Sequence, residues 1–202
     1  MIRALSENEL RLNMGKAVII MARPPKETMV NIASQNKKAE ADSLSAEVLK
    51  IFNKLETDHR NKVIDLLQYL KASMVMNDKG DFLVRTSWPI YSRMLKENYC
   101  KALDDDIANY RQQLEKLGLP AGKNELRDRL LNYLDAAGSF SSSCRLWANT
   151  IASIDADNQY IIEVLTVLEK NSNKMKTQDN SLWDFIAVYK KRNNLPGGRL
   201  VF

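Results

Sequence analysis

The segment LGLPAGKNELRDRLLNYL, residues 117–134, combines a helix end, a short link and a helix start. Gly118 suits the left-handed residue that follows a helix, and Pro120 prevents that helix from continuing. Asn124 is a favoured N-cap residue for the next helix. The segment therefore predicts two helices joined by an extended link, with Leu119 pointing back between them.

Apolar residues on both sides of the link recur at helical spacing. Before the link, the residues that share one helical face are Ile107, Tyr110, Leu114 and Leu117. After the link, the corresponding residues are Leu126, Leu130, Tyr133 and Leu134. The same spacing recurs along most of the chain, and the alternation typical of strands is rare. We therefore predict an all-α protein of about eight helices, arranged like a helical bundle.

Polar residues predict the helix boundaries. The pattern Ser6–Glu9 is typical of a capping box, and the helix that it begins should end near Ala22. The other predicted starts are Ser43 or Ser45, Thr57 or Asp58, Ser87 with Pro89 in the first turn, Asp104, Cys144, Asn158 and Ser181. The polar runs 139–143 and 171–180 are predicted to be a loop and a solvated linker.

These boundaries divide the chain into four regions. Residues 1–76 form an N-terminal helical region, and residues 77–103 form a connecting extended piece, near residues 82–85, and a helix. Residues 104–138 form the helix–extended–helix hairpin. Residues 139–202 form a C-terminal helical region with a flexible apolar tail.

The charge of the chain permits an anionic partner without requiring one. The 202 residues include 30 Lys and Arg and 25 Asp and Glu, which gives a formal charge of +5. The hairpin region, 104–138, has the opposite balance, with five basic and seven acidic side chains. This local excess of acids argues against binding of nucleic acid by the hairpin through charge alone.

The cysteines and the lack of a long apolar segment favour a cytoplasmic protein. Cys100 and Cys144 belong to no metal or redox motif. We interpret them as reduced thiols, with a structural disulfide as the weaker alternative. The apolar run 17–22 is too short to span a bilayer and lacks the layout of a signal peptide. We therefore expect no membrane anchor.

No group of residues predicts catalysis, a metal site or a cofactor. His59, the single histidine, is interpreted as a surface or capping residue, so histidine-dependent catalysis and zinc ligation are not expected. The acid clusters 104–106 and 155–157 suit helix N-termini better than a cation. The chain has no glycine-rich phosphate-binding motif. We therefore expect a non-enzymatic protein without a cofactor.

Residues 104–138 resemble the SAP motif, a helix–extended–helix module of DNA-associated proteins. The matching residues are Gly118-Leu119-Pro120, Gly122-Lys123, Glu125-Leu126 and Arg129-Leu130. The resemblance implies DNA contact through the link and the start of the second helix, where free amides and the helix dipole favour phosphate. Lys123 matches the link lysine of the family. Arg129 matches its helix arginine, which is either a DNA contact or a structural residue. The link is slightly shorter than in the family, and the first helix begins with three aspartates.

Two groups of cations lie nearer the C-terminus, namely Lys170, Lys174 and Lys176, and Lys190, Lys191 and Arg192. The second group either complements the dipole at the end of the last helix or joins the first group in a phosphate-binding patch. The apolar tail, residues 200–202, either folds onto its own core or docks in a partner or a neighbouring subunit.

Two functions follow as hypotheses. The first is a DNA-binding or regulatory protein whose candidate contacts are Lys116, Gly122, Lys123, Arg127, Arg129, Lys190, Lys191 and Arg192. The alternative is an assembly or scaffold protein, such as a capsid-associated or filament subunit. It would form homo-oligomers through its helical faces and the tail residues Leu200, Val201 and Phe202.

Overall fold

The computed structural model describes residues 26–74, 87–153 and 157–193, with side chains described from Asp42 onward. The chain divides between Ser43 and Leu44 into two compact units, and every contact reported below lies within the second. The described residues form helices and no strands, which confirms the all-α prediction. The predicted first helix, the extended piece at residues 82–85 and the apolar tail lie outside the described residues.

Helices α1 (Lys26–Ser73), α3 (Glu125–Ala152) and α4 (Asn158–Arg192) are each continuous. Helix α2 runs through residues 88–116 and has three parts, Trp88–Met94, the π-helical segment Leu95–Cys100, and Lys101–Lys116. The described part of the chain therefore contains four long helices, and the prediction of about eight is not confirmed. The observed helices are longer than the predicted ones because most of the predicted breaks, including residues 139–143 and 171–180, lie inside continuous helices.

Each helix is antiparallel to the next, as pairs of contacts between neighbouring helices show. Tyr69 of α1 stacks on Tyr99 of α2 with ring centroids 4.5 Å apart, while His59, earlier in α1, lies beside Tyr110, later in α2. Arg145, late in α3, binds Asp104 of α2, while Asp135, earlier in α3, binds Arg111, later in α2. The amide of Asn171 in α4 donates to the Ser139 carbonyl of α3 at 3.3 Å, while Arg129, earlier in α3, donates to Ser181, later in α4.

Helices α1 and α4 also pack against each other, which completes the bundle. The Phe52 ring of α1 contacts the Trp183 ring of α4 edge to face, with ring centroids 5.2 Å apart. Helix α3 runs parallel to α1, with Trp147 Nε1 donating to Ser73 Oγ at 3.0 Å and Tyr133 meeting His59. This pattern of neighbours defines an up-down-up-down four-helix bundle.

The bundle core consists of large apolar side chains that all four helices direct inward. The largest fully buried ones are Phe52, Leu66, Leu95, Leu103, Tyr110, Leu114, Leu130, Leu134, Phe140, Trp147, Leu182 and Ile186. Burial of these side chains is the main driving force for packing the helices together.

The serine run 139–143 is the interior of α3, so the loop prediction is wrong. Ser141 and Ser143 are buried, and their small side chains face the rest of the bundle. Ser139 and Ser142 donate hydrogen bonds to the carbonyls one turn earlier, at Asp135 and Gly138. Packing and these local bonds together outweigh the weak helix propensity of a serine run.

Two other predicted breaks also lie inside helices. Residues 104–106 lie inside α2 and do not begin a helix. Asp104 binds Arg145 of α3, and Asp106 binds Lys62 of α1. Residues 171–180 are not a linker, since this part of α4 contributes the buried Met175. In both cases, contacts with other helices stabilise a polar stretch that has few apolar residues of its own.

Several helix ends follow the sequence prediction. Asn124 accepts a hydrogen bond from the Arg127 amide at 3.0 Å, and Asp157 accepts one from the Gln159 amide at 3.3 Å. Pro89 lies in the first turn of α2, but the Ser87 side chain makes no capping hydrogen bond. The asparagine and aspartate caps form because their side chains reach amides two or three residues away.

Candidate nucleic-acid interface

The link between α2 and α3 begins at the predicted left-handed Gly118, whereas residues 120–123 form a turn where the sequence predicted an extended link. Gly118 and Gly122 have φ angles of +62° and +73°, in the left-handed region that favours glycine. Leu119 packs against the core, as predicted for a residue that closes the hairpin. These residues hold Lys123 in an exposed position immediately before the N-cap of α3.

The amides of the link are mostly occupied by the protein itself. The Gly122 amide donates to Asp128 Oδ2 at 2.8 Å, and the Lys123 amide donates to the Pro120 carbonyl at 3.2 Å. The Arg127 amide is bound by Asn124, as described above. The expectation that free amides at this helix start would bind phosphate therefore loses much of its physical basis.

Arg127 is largely buried, with a side chain that is 12% exposed and that contacts Asp128 at 3.2 Å. Its Nε atom is buried and has no hydrogen-bond partner among the described residues. Such a side chain is poorly placed to reach a phosphate, so Arg127 belongs to the packing of the hairpin.

Arg129 joins α3 to α4. Its guanidinium donates to Glu125 one turn earlier at 2.8 Å and to Ser181 Oγ of α4 at 2.7 Å. The guanidinium carbon also lies 4.9 Å from the ring centroid of Phe185. Of the two roles that the family resemblance allows for this arginine, these contacts favour the structural one.

Five other predicted cations are available at the surface. Lys116, Lys123, Lys191 and Arg192 are exposed and Lys190 is half-buried. None of the five makes an ion pair with another residue that the structure describes. They come from two segments of the chain, the end of α2 with the link, and the last turn of α4.

The fold brings these two segments to one end of the bundle. Arg129, Glu125 and Arg192 line the same groove of about 700 Å³ between α3 and α4, with Ser181 and Phe185 in its wall. Lys123 lies two residues before Glu125 in the link. We call the surface formed by Lys116, Lys123, Lys190, Lys191 and Arg192 the cationic end.

The structure does not bring every predicted contact to this end. Lys170 and Lys174 are exposed on α4, but they flank Asn171, which contacts Ser139 far along α3 from the link. Residues 200–202 lie outside the described residues. The cationic end therefore contains the hairpin lysines and the last-turn cations, without the middle group of lysines.

His59 is a site that the sequence interpretation missed. It is fully buried between the edges of the Tyr110 and Tyr133 rings, so the prediction of a surface or capping residue is wrong. Its Nδ1 atom lies 3.6 Å from Asp106 Oδ2, and neither ring nitrogen has a hydrogen-bond partner among the described residues. The signal for burial was its spacing, since His59 follows Phe52 and Leu55 at core positions of α1.

Asp106 carries the charge of this buried cluster. Burial opposes its ionisation, but the interactions with the nearby His59 and with Lys62 outweigh that effect and lower the pKa of its carboxyl group. Lys62 Nζ lies 2.5 Å from Asp106 Oδ1. Burial, with smaller contributions from Asp106 and Asp58, raises the pKa of Tyr110 to about 12. We assign the cluster to the packing of α1 against α2.

The fold and the surface together define a helical bundle with a cationic end. Comparison with models of known protein families, with curated proteins and with solved structures found no match to this chain. Among the described residues, no cluster of side chains could hold a metal ion. None of the helices that the structure describes is long and apolar enough to cross a membrane.

Proposed function

We propose that this protein is a non-enzymatic nucleic-acid-binding protein whose cationic end holds the phosphate backbone of DNA. The observation that carries the proposal is the convergence of two cationic segments that are far apart in the sequence. Arg192 in the last turn of α4 lines a groove together with Arg129 and Glu125, and Lys123 lies two residues before Glu125 in the link. The resemblance of the hairpin to the SAP motif supports the same function.

The contacts within the hairpin divide its residues into two roles. Lys116 and Lys123, with the last-turn cations, are the proposed phosphate contacts because they are accessible and have no carboxylate partner among the described residues. Gly122 allows the turn that presents Lys123. Arg127 and Arg129 are positioning residues, since Asp128 and Glu125 already occupy their guanidinium groups.

The acids of this region restrict where phosphate would bind. Asp128 and Glu125 are paired with arginines, so they offset the charge of those arginines and leave the exposed lysines uncompensated. Asp184 lines the groove itself and lowers its net charge. We therefore expect phosphate contacts at the rim of the groove, with affinity that depends little on base sequence.

Binding at two or more salt concentrations tests this proposal. Fluorescence anisotropy with labelled duplex DNA, single-stranded DNA and RNA would compare the native chain with the triple variant Lys116→Gln, Lys123→Gln and Lys191→Gln. Each lost phosphate contact should reduce the slope of log K against log[salt] by about 0.9 on duplex DNA. The triple variant should therefore lose roughly 3 from this slope and bind more weakly on every sequence.

A matched control separates the site from net charge. The variant Lys101→Gln, Lys170→Gln and Lys174→Gln removes the same charge from exposed lysines elsewhere on α2 and α4. It should keep the native salt slope. Equal losses in the two variants would show that only overall charge matters and would contradict the proposed site.

An assembly function is the second proposal, and exposed apolar side chains favour it. On α4, Ile162 is 63% exposed, and Tyr160 and Val167 are also exposed. Such side chains often mark surfaces that contact another protein. Light scattering of the native chain and of an Ile162→Ser variant tests it, with the expectation of an oligomer that the substitution weakens. A monomeric native chain at high concentration would contradict this second proposal.

A further inference from the structure

Cys100 and Cys144 lie next to each other at the interface of α2 and α3. Both are free and fully buried. Two hydrogen bonds from α3 to α2 lie beside the pair. Ser141 Oγ donates to the Cys100 carbonyl at 3.4 Å, and Arg145 Nη1 donates to the Lys96 carbonyl at 3.5 Å. Ser141, Cys144 and Arg145 share one face of α3, so Cys144 faces the segment of α2 that contains Cys100.

The two thiols differ in their chemistry. A hydrogen bond with Cys144 lowers the pKa of the Cys100 thiol, burial opposes this effect, and the nearby Arg145 supports it. Burial, together with the hydrogen bond to Cys100, raises the pKa of the Cys144 thiol. The Arg145 guanidinium, which donates to the Lys96 carbonyl one turn before Cys100, favours a thiolate at Cys100. Because the thiolate is the reactive form, Cys100 is the better nucleophile of the pair.

The backbone at Cys100 differs from an ordinary helix. Cys100 is the last residue of the π-helical segment Leu95–Cys100, in a class of irregularity that is common at functional sites. Ser141 and Arg145 bind carbonyls of this segment from α3. Ser141 is small and fully buried at this contact between the two helices. A disulfide requires the Cα atoms of its two cysteines to lie within about 7 Å of each other.

We propose that Cys100 and Cys144 form an oxidative modification site, which a peroxide converts into a disulfide that bridges α2 and α3. The Cys100 thiolate attacks one peroxide oxygen, the O–O bond breaks, and a sulfenic acid and one water form. The Cys144 sulfur then attacks the Cys100 sulfur, the S–O bond breaks, and a second water leaves. Overall, the two thiols lose two electrons and two protons, and hydrogen peroxide is reduced to two waters.

Burial determines the rate of this reaction. Neither thiol is accessible in the closed bundle, so peroxide reaches Cys100 only when this part of the interface opens locally. The reaction should therefore be slow, and it should accelerate in mild denaturant below the unfolding transition. The proximity of the second thiol means that oxidation ends at the disulfide and does not continue to sulfinic acid.

Mass spectrometry of the full chain tests the site. Reduced protein would be treated with hydrogen peroxide, alkylated in denaturant and digested. The expected product is a peptide pair joined through Cys100 and Cys144, from a monomer whose mass is lower by two hydrogen atoms. Sulfinic acid at Cys100 without a crosslink, or a disulfide between two chains, would overturn the proposal.

Two single variants assign the roles of the thiols. In Cys144→Ser, Cys100 should accumulate as a sulfenic acid that dimedone captures. In Cys100→Ser, dimedone should not label Cys144. Labelling of Cys144 in that variant would overturn the assignment of Cys100 as the nucleophile. If either substitution prevents folding, the crosslink map of the native chain still decides whether the disulfide forms.

Discussion

Arg129 and Ser181 connect α3 to α4 through a hydrogen bond of 2.7 Å from the guanidinium to the serine hydroxyl. This contact lies where the start of the hairpin's second helix meets the last third of α4. Both residues line the groove that Glu125, at the start of α3, and Arg192, in the last turn of α4, also line. The arginine that matches the SAP motif therefore positions the cationic end and is not one of its free charges.

Arg129→Met should lower stability and leave the salt dependence of DNA binding nearly unchanged. The substitution removes the hydrogen bond to Ser181 and the contact with Phe185, which together contribute about 1–2 kcal/mol, and keeps the aliphatic part of the side chain. Urea denaturation measures the first effect and anisotropy titrations the second. A salt slope reduced as much as in Lys123→Gln would place Arg129 among the phosphate contacts.

Gly122→Ala should destabilise the link through its backbone alone. No atom lies within 4 Å of the added Cβ, but a φ of +73° is unfavourable for alanine by about 1 kcal/mol. The control is Gly138→Ala inside α3, where the added Cβ also meets nothing and helix propensity should increase stability by up to about 1 kcal/mol. Thermal or urea unfolding that shows the same sign for both variants would contradict the backbone explanation.

Stability should fall in acid through Asp106. Its folded-state pKa lies below the ordinary value, so the ionised carboxyl contributes stability at neutral pH. That contribution begins to be lost near the unfolded value of about 3.9 and disappears as the pH falls through the lower folded value. Asp106→Asn should flatten the pH dependence of the unfolding free energy between about pH 5 and pH 2. The control is Asp105→Asn, which removes a carboxyl group from the exposed neighbouring position.

Ser141→Leu should be much more disruptive than Ser142→Leu. Ser141 is fully buried against α2, so the larger side chain overpacks the interface and should cost about 1–3 kcal/mol, whereas Ser142 is exposed. Urea denaturation of the two variants measures the difference. Equal, small effects would show that this part of α3 packs loosely, as the loop that the sequence predicted would.

The hairpin was the part of the fold that local sequence signals predicted best. Gly118, Leu119 and Asn124 behave as expected because a left-handed turn, a proline stop and an N-cap depend on residues within one helical turn. The roles of its arginines were harder to predict. Arg129 finds its partners Ser181 and Phe185 on α4, more than fifty residues later in the chain.

His59 and the serine run show why other predictions were wrong. A histidine among charged neighbours suggests a surface, yet its position in the repeat of Phe52 and Leu55 places it in the core of α1. The serines suggest a loop, but buried small side chains are what a close contact between α3 and α2 requires. In both cases, periodicity along the helix was a better guide than the polarity of the residues.

The sequence by itself determined the all-α class, the helix end at the left-handed Gly118 and the caps at Asn124 and Asp157. These features arise from interactions between residues close in the chain. Only the tertiary structure decided that the polar stretches continue as helix and that Lys123 and Arg192 lie at the same end of the bundle. The reason is physical: partners on neighbouring helices stabilise those stretches, and antiparallel packing of α3 against α4 brings distant residues together.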